Sequence, residues 1–454
     1  MSDYNINEKE IRTSEKEEPV RVFAVGVYET DNPESGSEED FMHSMDELDE
    51  LIRSCNMIPV GRATQNLSHI NPATYIGAGK VSEIKMYVQG SDSEGIIVND
   101  TLTPSQLRNL QKELDIPVMD RTALILEIFK SRARTREARL QVEYANLNYI
   151  RTRLVGMWDT LGRKGGASGS QSSRGEGETQ LELDRRAIDR RLAELRRELK
   201  NITVERESQR KKRHKSKYPL VALVGYTNAG KSTIMNGLIE KYSPVHDKKV
   251  FEANMLFATL DATVRKIEPD NHMDFLLSDT VGFIHKLPAG LVEAFNSTLD
   301  EVREADLLLH VVDVSDKRYP KHMEVTNNTI RDLGAGHIPQ LIVYNKADLC
   351  DEPITYPREG RTYRDGNAAG GEIYISARED DSLEFLAASI EKVLLGEKSE
   401  VTFLIPFDKG NAVNDINENS EVIEITYLPE GTKIKANCNT ELQDKYSEYI
   451  YIGE

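Results

Sequence analysis

The sequence contains little cysteine and no long apolar run. Its three cysteines, Cys55, Cys350 and Cys438, form no CxxC pair and have no metal-ligand spacing, which favours free thiols in a reducing compartment. No run of about 18 apolar residues is present, so the sequence predicts no transmembrane helix. The first residues, MSDYNINEKEIRTSEKEEP, lack the apolar core of a signal peptide. We therefore expect a cytoplasmic protein.

Charge is distributed unevenly along the chain. The 454 residues carry a net charge of −18, with 39% hydrophobic and 30% charged residues, as in soluble globular proteins. The first 50 residues are acidic, and we expect residues 1–19 to be a disordered tail. The stretches KSRARTREAR near residue 130 and RESQRKKRHKSK at 206–217 are basic. A phosphate backbone interacts with the charge of the surface that it contacts. The net negative charge of the whole chain therefore does not exclude an RNA partner.

Residues 20–130 alternate short apolar runs with helical patterns, which predicts a small parallel α/β domain. Thr103 is the predicted N-cap of one of its helices, and Pro104 lies in that helix's first turn. The strand candidates are 20–28, 57–63, 95–100 and 116–120.

Residues 131–217 read as a helical hairpin. Apolar residues recur at mostly three-and-four spacing from Leu140 to Met157 and again from Ile188 to Ile202. A Gly- and Ser-rich loop at 162–179 separates the two stripes, so an antiparallel coiled coil is predicted. Alternatively, both stripes are simply domain core. A protruding hairpin is favoured by interleaved basic residues, namely Arg151, Arg153, Arg174, Arg185, Arg186, Arg190, Arg191, Arg196 and Arg197.

The stretch LVALVGYTNAGKST, residues 220–233, joins an apolar run to a glycine-rich loop. In such loops the glycines let backbone N–H groups surround phosphate oxygens, the lysine reaches the β- and γ-phosphates, and the serine hydroxyl binds Mg²⁺. The pattern predicts a triphosphate site between a strand and a helix. Its predicted nucleotide-binding residues are Gly225, Asn228, Ala229, Gly230, Lys231, Ser232 and Thr233.

Two later motifs predict that the base is guanine. LIVYNKADL places Asn345, Lys346 and Asp348 after an apolar strand. A carboxylate at Asp348 accepts from guanine N1–H and the 2-amino group together, and adenine lacks that pair of donors. IYISARE then offers Ser376 and Ala377 for backbone contact with guanine O6.

The candidate switch residues lie between and around these motifs. In FLLSDTVGF, Asp279 is expected to bind Mg²⁺ through water and Gly282 to face the γ-phosphate. Phe283 follows, where signalling GTPases usually carry the Gln that orients the attacking water. Thr259 is the candidate switch threonine that completes Mg²⁺ coordination, with Thr263 as runner-up and a plain loop threonine as the alternative. Lys231, Thr259, Gly282 and Phe283 are the catalytic candidates.

A second Gly-Lys pair occurs in TYIGAGKVSEI. Thr74 and Val81 stand where a phosphate loop needs its first glycine and its hydroxyl, so Gly79 and Lys80 read as a turn into a helix. A weaker nucleotide or RNA contact stays open here, as does an RNA-remodelling N-terminal domain with its own ATP site, against which Thr74 and Val81 argue.

The sequence resembles the HflX family of translational GTPases over nearly its whole length. The matching stretches are YIGAGKVSEI, DRTALILEIF, ARTREARLQVEYANLNY, SRGEGETQLELDRR, GYTNAGKST, LFATLD and DTVGFI. The resemblance implies an N-terminal α/β domain, a coiled-coil hairpin, a G domain and a variable C-terminal piece. It also implies binding to the large ribosomal subunit and its rRNA and, in some members, splitting of stalled or idle ribosomes under stress.

We therefore expect a monomeric, GTP- and Mg²⁺-dependent GTPase that is slow alone and faster on ribosomes. The alternative is a GTP-gated RNA- or protein-binding module with negligible turnover. The predicted fold is α/β, in five parts: a disordered tail (1–19), a parallel α/β domain (20–130), the coiled-coil hairpin (131–217), a Ras-like P-loop GTPase domain (218–397) and a small α+β appendage (398–454).

Overall fold

The computed structural model describes residues 18–163, 174–213, 218–243, 257, 263–270, 272–280, 282–284, 301–365, 368–395, 399–438 and 440–451. The chain divides into two compact units: residues 1–217 with 251–263 and 280–301, and residues 218–250 with 264–279 and 302–454. Residues 1–17 of the predicted tail and 164–173 of the predicted loop at 162–179 lie outside the described residues. Residues 162–163 and 174–179, predicted as loop, are helical. None of the described helices is long and apolar enough to span a bilayer.

A four-stranded parallel sheet forms the centre of the first unit. Its order is β2-β1-β3-β4, so β1 is paired on both sides. All four residues of β3 are buried, as expected for a parallel strand covered on both faces. The strands are β1 (Val20–Glu29), β2 (Met57–Leu67), β3 (Gly95–Val98) and β4 (Val118–Asp120), which confirms the predicted alternation.

Four helices accompany this sheet, and three of them begin at a side-chain cap. Ser37 and Thr103 each form a reciprocal capping box, which confirms Thr103 as an N-cap with Pro104 in the first turn. Asp120 caps the fourth helix by accepting from the Ala123 N–H. The helices are α1 (Glu38–Ser54), α2 (Ala78–Gly90), α3 (Pro104–Leu114) and α4 (Arg121–Arg132).

Two long helices, α5 (Arg136–Arg163) and α6 (Arg174–Arg213), form the predicted hairpin. Ion pairs join Arg136 to Glu198 and Arg191 to Glu143. Because the residue numbers on the two helices run in opposite directions, the pair is antiparallel. The apolar stripes are buried at Leu140, Leu147, Leu154, Ile188, Leu192 and Leu195.

Arg153 differs from the expectation for a basic hairpin face. Its side chain is buried, with an ion pair to Asp120 and a hydrogen bond to the Leu102 carbonyl. Asp120 lies far away in sequence, so the helical pattern alone could not reveal this pairing. Arg153 therefore belongs to the core of the first unit and not to an exposed basic surface.

The second unit contains a seven-stranded sheet of order β10-β11-β9-β8-β5-β7-β6. The pairs from β7 through β5, β8 and β9 to β11 are parallel, and β10 pairs with β11 in antiparallel fashion. The strands are β5 (Leu220–Val224), β6 (Thr263–Ile267), β7 (Phe275–Asp279), β8 (Leu307–Asp313), β9 (Gln340–Asn345), β10 (Arg358–Asp365) and β11 (Ala368–Tyr374). The helices are α7 (Lys231–Tyr242), α8 (Tyr319–Asp332) and α9 (Asp380–Leu395).

A small antiparallel sheet of order β12-β14-β13 follows, with two short helices. This mixture of strands and helices agrees with the small α+β appendage that the sequence predicts. The elements are β12 (Ser399–Ile405), α10 (Gly410–Asn419), β13 (Glu421–Leu428), β14 (Gly431–Cys438) and α11 (Thr440–Lys445). The α/β fold class is confirmed, while the borders of the five predicted parts stay a prediction.

Candidate functional site

The loop between β5 and α7 has a backbone that requires glycine at two positions. Gly225 has φ +146°, and a Cβ there would lie 2.2 Å from the Val311 carbonyl oxygen. Gly230 has φ +99°, and its Cβ would lie 2.2 Å from the Asn345 amide nitrogen. Asn228 also has a positive φ, of 62°. Larger side chains at the two glycines would force the loop away from the neighbouring strands.

Lys231 begins α7 and is buried under this loop. Its ammonium group donates to the carbonyls of Gly225 at 2.9 Å and Tyr226 at 2.7 Å. Burial lowers the pKa of Lys231 to about 8, and the nearby Asp279 carboxylate opposes that shift. The ammonium is thus held at the loop with little solvent around it.

Ser232 and Asp279 bring two oxygen ligands together. The Ser232 hydroxyl donates to the Asp279 carboxylate at 3.1 Å, and Asp279 ends β7 with no exposed surface. Within the described residues, no group of three His, Cys, Asp or Glu side chains is placed to hold a metal. A hydroxyl and a carboxylate beside a phosphate loop suit Mg²⁺, which takes its other ligands from phosphate and water. These residues therefore fit the ion.

Asn345 links three separate segments. At the end of β9 its side chain donates to the Ala229 carbonyl at 3.0 Å and accepts from the Ala377 N–H at 2.9 Å. The phosphate loop, the NKAD stretch and the Ser376–Ala377 turn are therefore fixed to one another by a single buried amide. No sequence pattern indicates this link, because the three segments are far apart along the chain.

In the rest of the NKAD stretch, the Asp348 side chain is exposed. Lys346 has φ 61° and forms an ion pair with Asp313 at 2.6 Å. Asp348, in a 3₁₀ turn, is exposed. Ser376 is buried, and its N–H donates to the Ser382 hydroxyl at 3.2 Å. Asp313 was not among the predicted site residues, although its place at the end of apolar strand β8 resembles that of Asp279.

The candidate switch residues are only partly described. Gly282 is buried and Phe283 is 2% exposed. Thr263, the runner-up threonine, is the first residue of β6. Thr259 lies outside the described residues.

Two aromatic residues near the loop were not predicted. Tyr226, in the loop, stacks on His322 of α8 with ring centroids 4.0 Å apart. His310 on β8 is 1% exposed, and burial, helped by the Lys231 charge, lowers its pKa to about 4. It is therefore a neutral imidazole at physiological pH.

Four features together define a P-loop GTPase. They are a phosphate loop that requires glycine at two positions, a buried lysine, a serine–aspartate pair and an NKAD motif at the end of a strand. Three family models match the chain: "GTP-binding GTPase N-terminal" at residues 42–130, "GTP-binding GTPase Middle Region" at 132–213 and "50S ribosome-binding GTPase" at 220–346.

Relatives named GTPase HflX cover most of the chain. That of Caldanaerobacter subterraneus is 42% identical over 407 residues, 90% of each chain. That of Lacrimispora saccharolytica is 40% identical over 94% of this chain and 95% of its own. The Escherichia coli protein is 38% identical over 81% and 83%. Among solved structures, the GDP complex of SsGBP has a TM-score of 0.45 at 23% identity, over 83% of this chain and 98% of that one.

The chain belongs to the HflX family of GTPases. It binds guanine nucleotide and hydrolyses GTP.

Proposed function

We propose that the loop at 225–233 holds the phosphates, with Lys231 on the β- and γ-phosphates. Ser232 and Asp279 would hold Mg²⁺, and Thr259 would join them when the switch closes. Bound there, the ion neutralises phosphate charge. The proposal is supported by the buried ammonium of Lys231 and by the 3.1 Å contact between Ser232 and Asp279.

Asp348 is the proposed guanine reader, because its carboxylate is exposed beside Asn345 and Lys346. Ser376 and Ala377 would contact guanine O6 through the backbone. Asp348→Asn should weaken GTP binding by roughly thirtyfold, since a charged hydrogen-bond acceptor is lost. The substituted amide should also relax the preference for GTP over other purine triphosphates. Calorimetry with GTP, ITP and XTP checks this, and an unchanged GTP preference would contradict the assignment.

Intrinsic hydrolysis is proposed to be slow. Phe283 cannot orient water, so the GTPase keeps charge stabilisation and lacks water positioning. Ordering of the Gly282–Phe283 region by a partner would raise the rate.

The proposed partner is the large ribosomal subunit. Without the buried Arg153, the hairpin carries ten Arg and Lys against seven Asp and Glu over residues 136–154 and 182–204, in a chain of net charge −18. Arg185, Arg186, Arg190 and Arg197 are exposed on α6. This local excess of positive charge is the observation that carries the proposal, because rRNA phosphate attracts it. From the family resemblance we further propose that the protein splits or rescues stalled or idle ribosomes under stress.

Sedimentation with purified large subunits tests the proposal. The full chain is pelleted with subunits at several salt concentrations, in GTP, GDP or a non-hydrolysable analogue. We expect co-sedimentation that depends on nucleotide and weakens with salt. Lys231→Ala, which should neither bind nor hydrolyse GTP, is the control for nucleotide dependence. Absence of the chain from the pellet in every nucleotide would refute ribosome binding.

Hydrolysis and splitting need separate measurements. GTP turnover with and without large subunits tests stimulation, and equal rates would favour the GTP-gated binding module. Light scattering of 70S ribosomes tests splitting, which binding alone does not establish.

A further inference from the structure

In the sheet of β12, β14 and β13, the apolar core covers β14 but leaves Ile425 and Tyr427 of β13 exposed. Ile434 on β14 is fully buried, whereas Ile425, paired with it across β13, is 40% exposed. Thr432 is 6% exposed, while its partner Tyr427 is 75% exposed. Paired residues share one face of a sheet, so this face is covered over β14 and open over β13. The hydrophobic core around Phe403 and Ile434 does not include Ile425.

The two outer edges of this sheet, on β12 and on β13, differ in how they are covered. The outer edge of β12 is covered, since Phe403 bridges Ile450 and the Tyr451 N–H donates to the Thr402 carbonyl. Within the described part of the chain, β13 pairs only with β14. Ile423, in the bulge of β13, adds a side chain that is 51% exposed. An open edge with apolar residues is a template for another strand.

The negative charge near this edge indicates which class of partner can bind there. Residues 399–451 contain ten Asp and Glu against four Lys and no Arg. Glu424 on β13 and Glu430 in the following turn are exposed. A second copy would bring the same negative charge to the edge, and the bulge in β13 disturbs regular self-pairing. RNA would be repelled for the same reason.

We propose that the edge of β13 binds an extended, lysine- or arginine-rich segment of a protein partner as a fourth strand. Its main-chain groups would pair with β13, and its inward side chains would cover Ile425 and Tyr427. Its basic side chains would meet Glu424 and Glu430. This proposal is independent of the nucleotide site and of the proposed ribosome binding.

A designed peptide tests the surface directly. The probe is a fluorescein-labelled ten-residue peptide of alternating lysine and valine, titrated with the full-length chain and followed by anisotropy. The double variant Ile425→Ser, Tyr427→Ser should weaken binding by about tenfold or more. Tyr87→Ser, at a residue 54% exposed in the other unit, should leave it unchanged.

Further arms separate strand addition from plain charge attraction. The same peptide with its two central valines replaced by proline should bind poorly, because proline cannot extend the ladder. Glu424→Lys, which preserves the apolar edge, should weaken the lysine peptide and favour a glutamate–valine peptide. The proposal is overturned if the double variant binds like the parent chain, if the proline peptide binds equally well, or if a ten-nucleotide oligouridylate competes. Dimers that disappear on Ile425→Ser would overturn it in favour of a second copy.

Discussion

Phe283 occupies the position of a catalytic glutamine in signalling GTPases, yet it is 2% exposed. A buried aromatic ring contributes to packing, and its burial excludes the water that a glutamine would orient. At the scale of one residue, packing and water positioning therefore compete for the same place.

Phe283→Gln should fail to restore fast hydrolysis. The amide would be buried in place of an aromatic ring. We therefore expect a loss of stability of about 3 kcal/mol and little gain in turnover. Single-turnover GTP hydrolysis and thermal melting check both effects, with Phe283→Leu as an apolar control. A rise in intrinsic rate above about a hundredfold, or about 2.7 kcal/mol of barrier, would contradict this expectation.

His310 should make the second unit sensitive to acid. Its pKa is lowered from 6.5 to about 4 by burial, so between these values the unfolded chain binds a proton that the folded chain does not. The contribution of His310 to the free energy of unfolding is therefore fully present above pH 6.5. It decreases as the pH drops, by about 3 kcal/mol near pH 4. Urea unfolding at about pH 7 and pH 4.5 should show a smaller difference in His310→Leu. Equal pH slopes in both proteins would argue against a neutral buried imidazole.

At the scale of elements, Asp120 connects β4, α4, α5 and the segment that precedes α3. Besides capping α4, its carboxylate accepts from the Leu102 N–H at 3.0 Å and the Tyr149 hydroxyl at 2.9 Å, and it pairs with Arg153. The first helix of the hairpin is thus fixed to the α/β sheet by one buried carboxylate.

Asp120→Asn should destabilise the first unit by about 3 kcal/mol, because it leaves the Arg153 charge buried without its counter-ion. Adding Arg153→Met should recover part of this loss. Arg191→Ala, which breaks the more exposed pair with Glu143, should cost about 1 kcal/mol or less. Denaturant unfolding of the four proteins, parent included, checks the order, and similar losses for Asp120→Asn and Arg191→Ala would contradict it.

The sequence predicted individual elements better than it predicted their connections. The strands beginning at Val20 and Met57 were visible because apolar runs and turn residues act locally. The contacts of Arg153 and Asn345 were not visible, because each depends on partners brought close only by the fold. Among the nucleotide-site predictions, the positions of the loop and strand ends follow from pattern, whereas their mutual bonding does not.

At the scale of the whole molecule, part of the chain between the phosphate loop and Asp279 belongs to the first unit. Phe257, in the LFATLD stretch, lies edge-on to Phe129 of α4 with centroids 4.7 Å apart. It is 2% exposed and has φ 56°. Phe257, two residues before the candidate switch threonine, is therefore packed against α4.

Deleting residues 162–179 should leave GTP affinity nearly unchanged, because no predicted nucleotide-binding residue lies there. It should sharply reduce stimulation of hydrolysis by large subunits, since we expect this end of the hairpin, made of the loop and the adjoining helix ends, to be the ribosome-facing tip. GTP turnover of the deletion and the parent chain, each with and without subunits, checks this. A Gly-Ser replacement of equal length separates loss of sequence from loss of length. Equal stimulation of all three proteins would return the hairpin to a purely structural role.

The side chain of Asn345 also has a consequence for inhibitor design. It is hydrogen-bonded to Ala229 of the phosphate loop and to Ala377 of the Ser376–Ala377 turn. A compound placed on the NKAD side that captured this amide would release the Ala229 carbonyl as well. Inhibitor design directed at the base side would therefore also act on the loop that holds the phosphates.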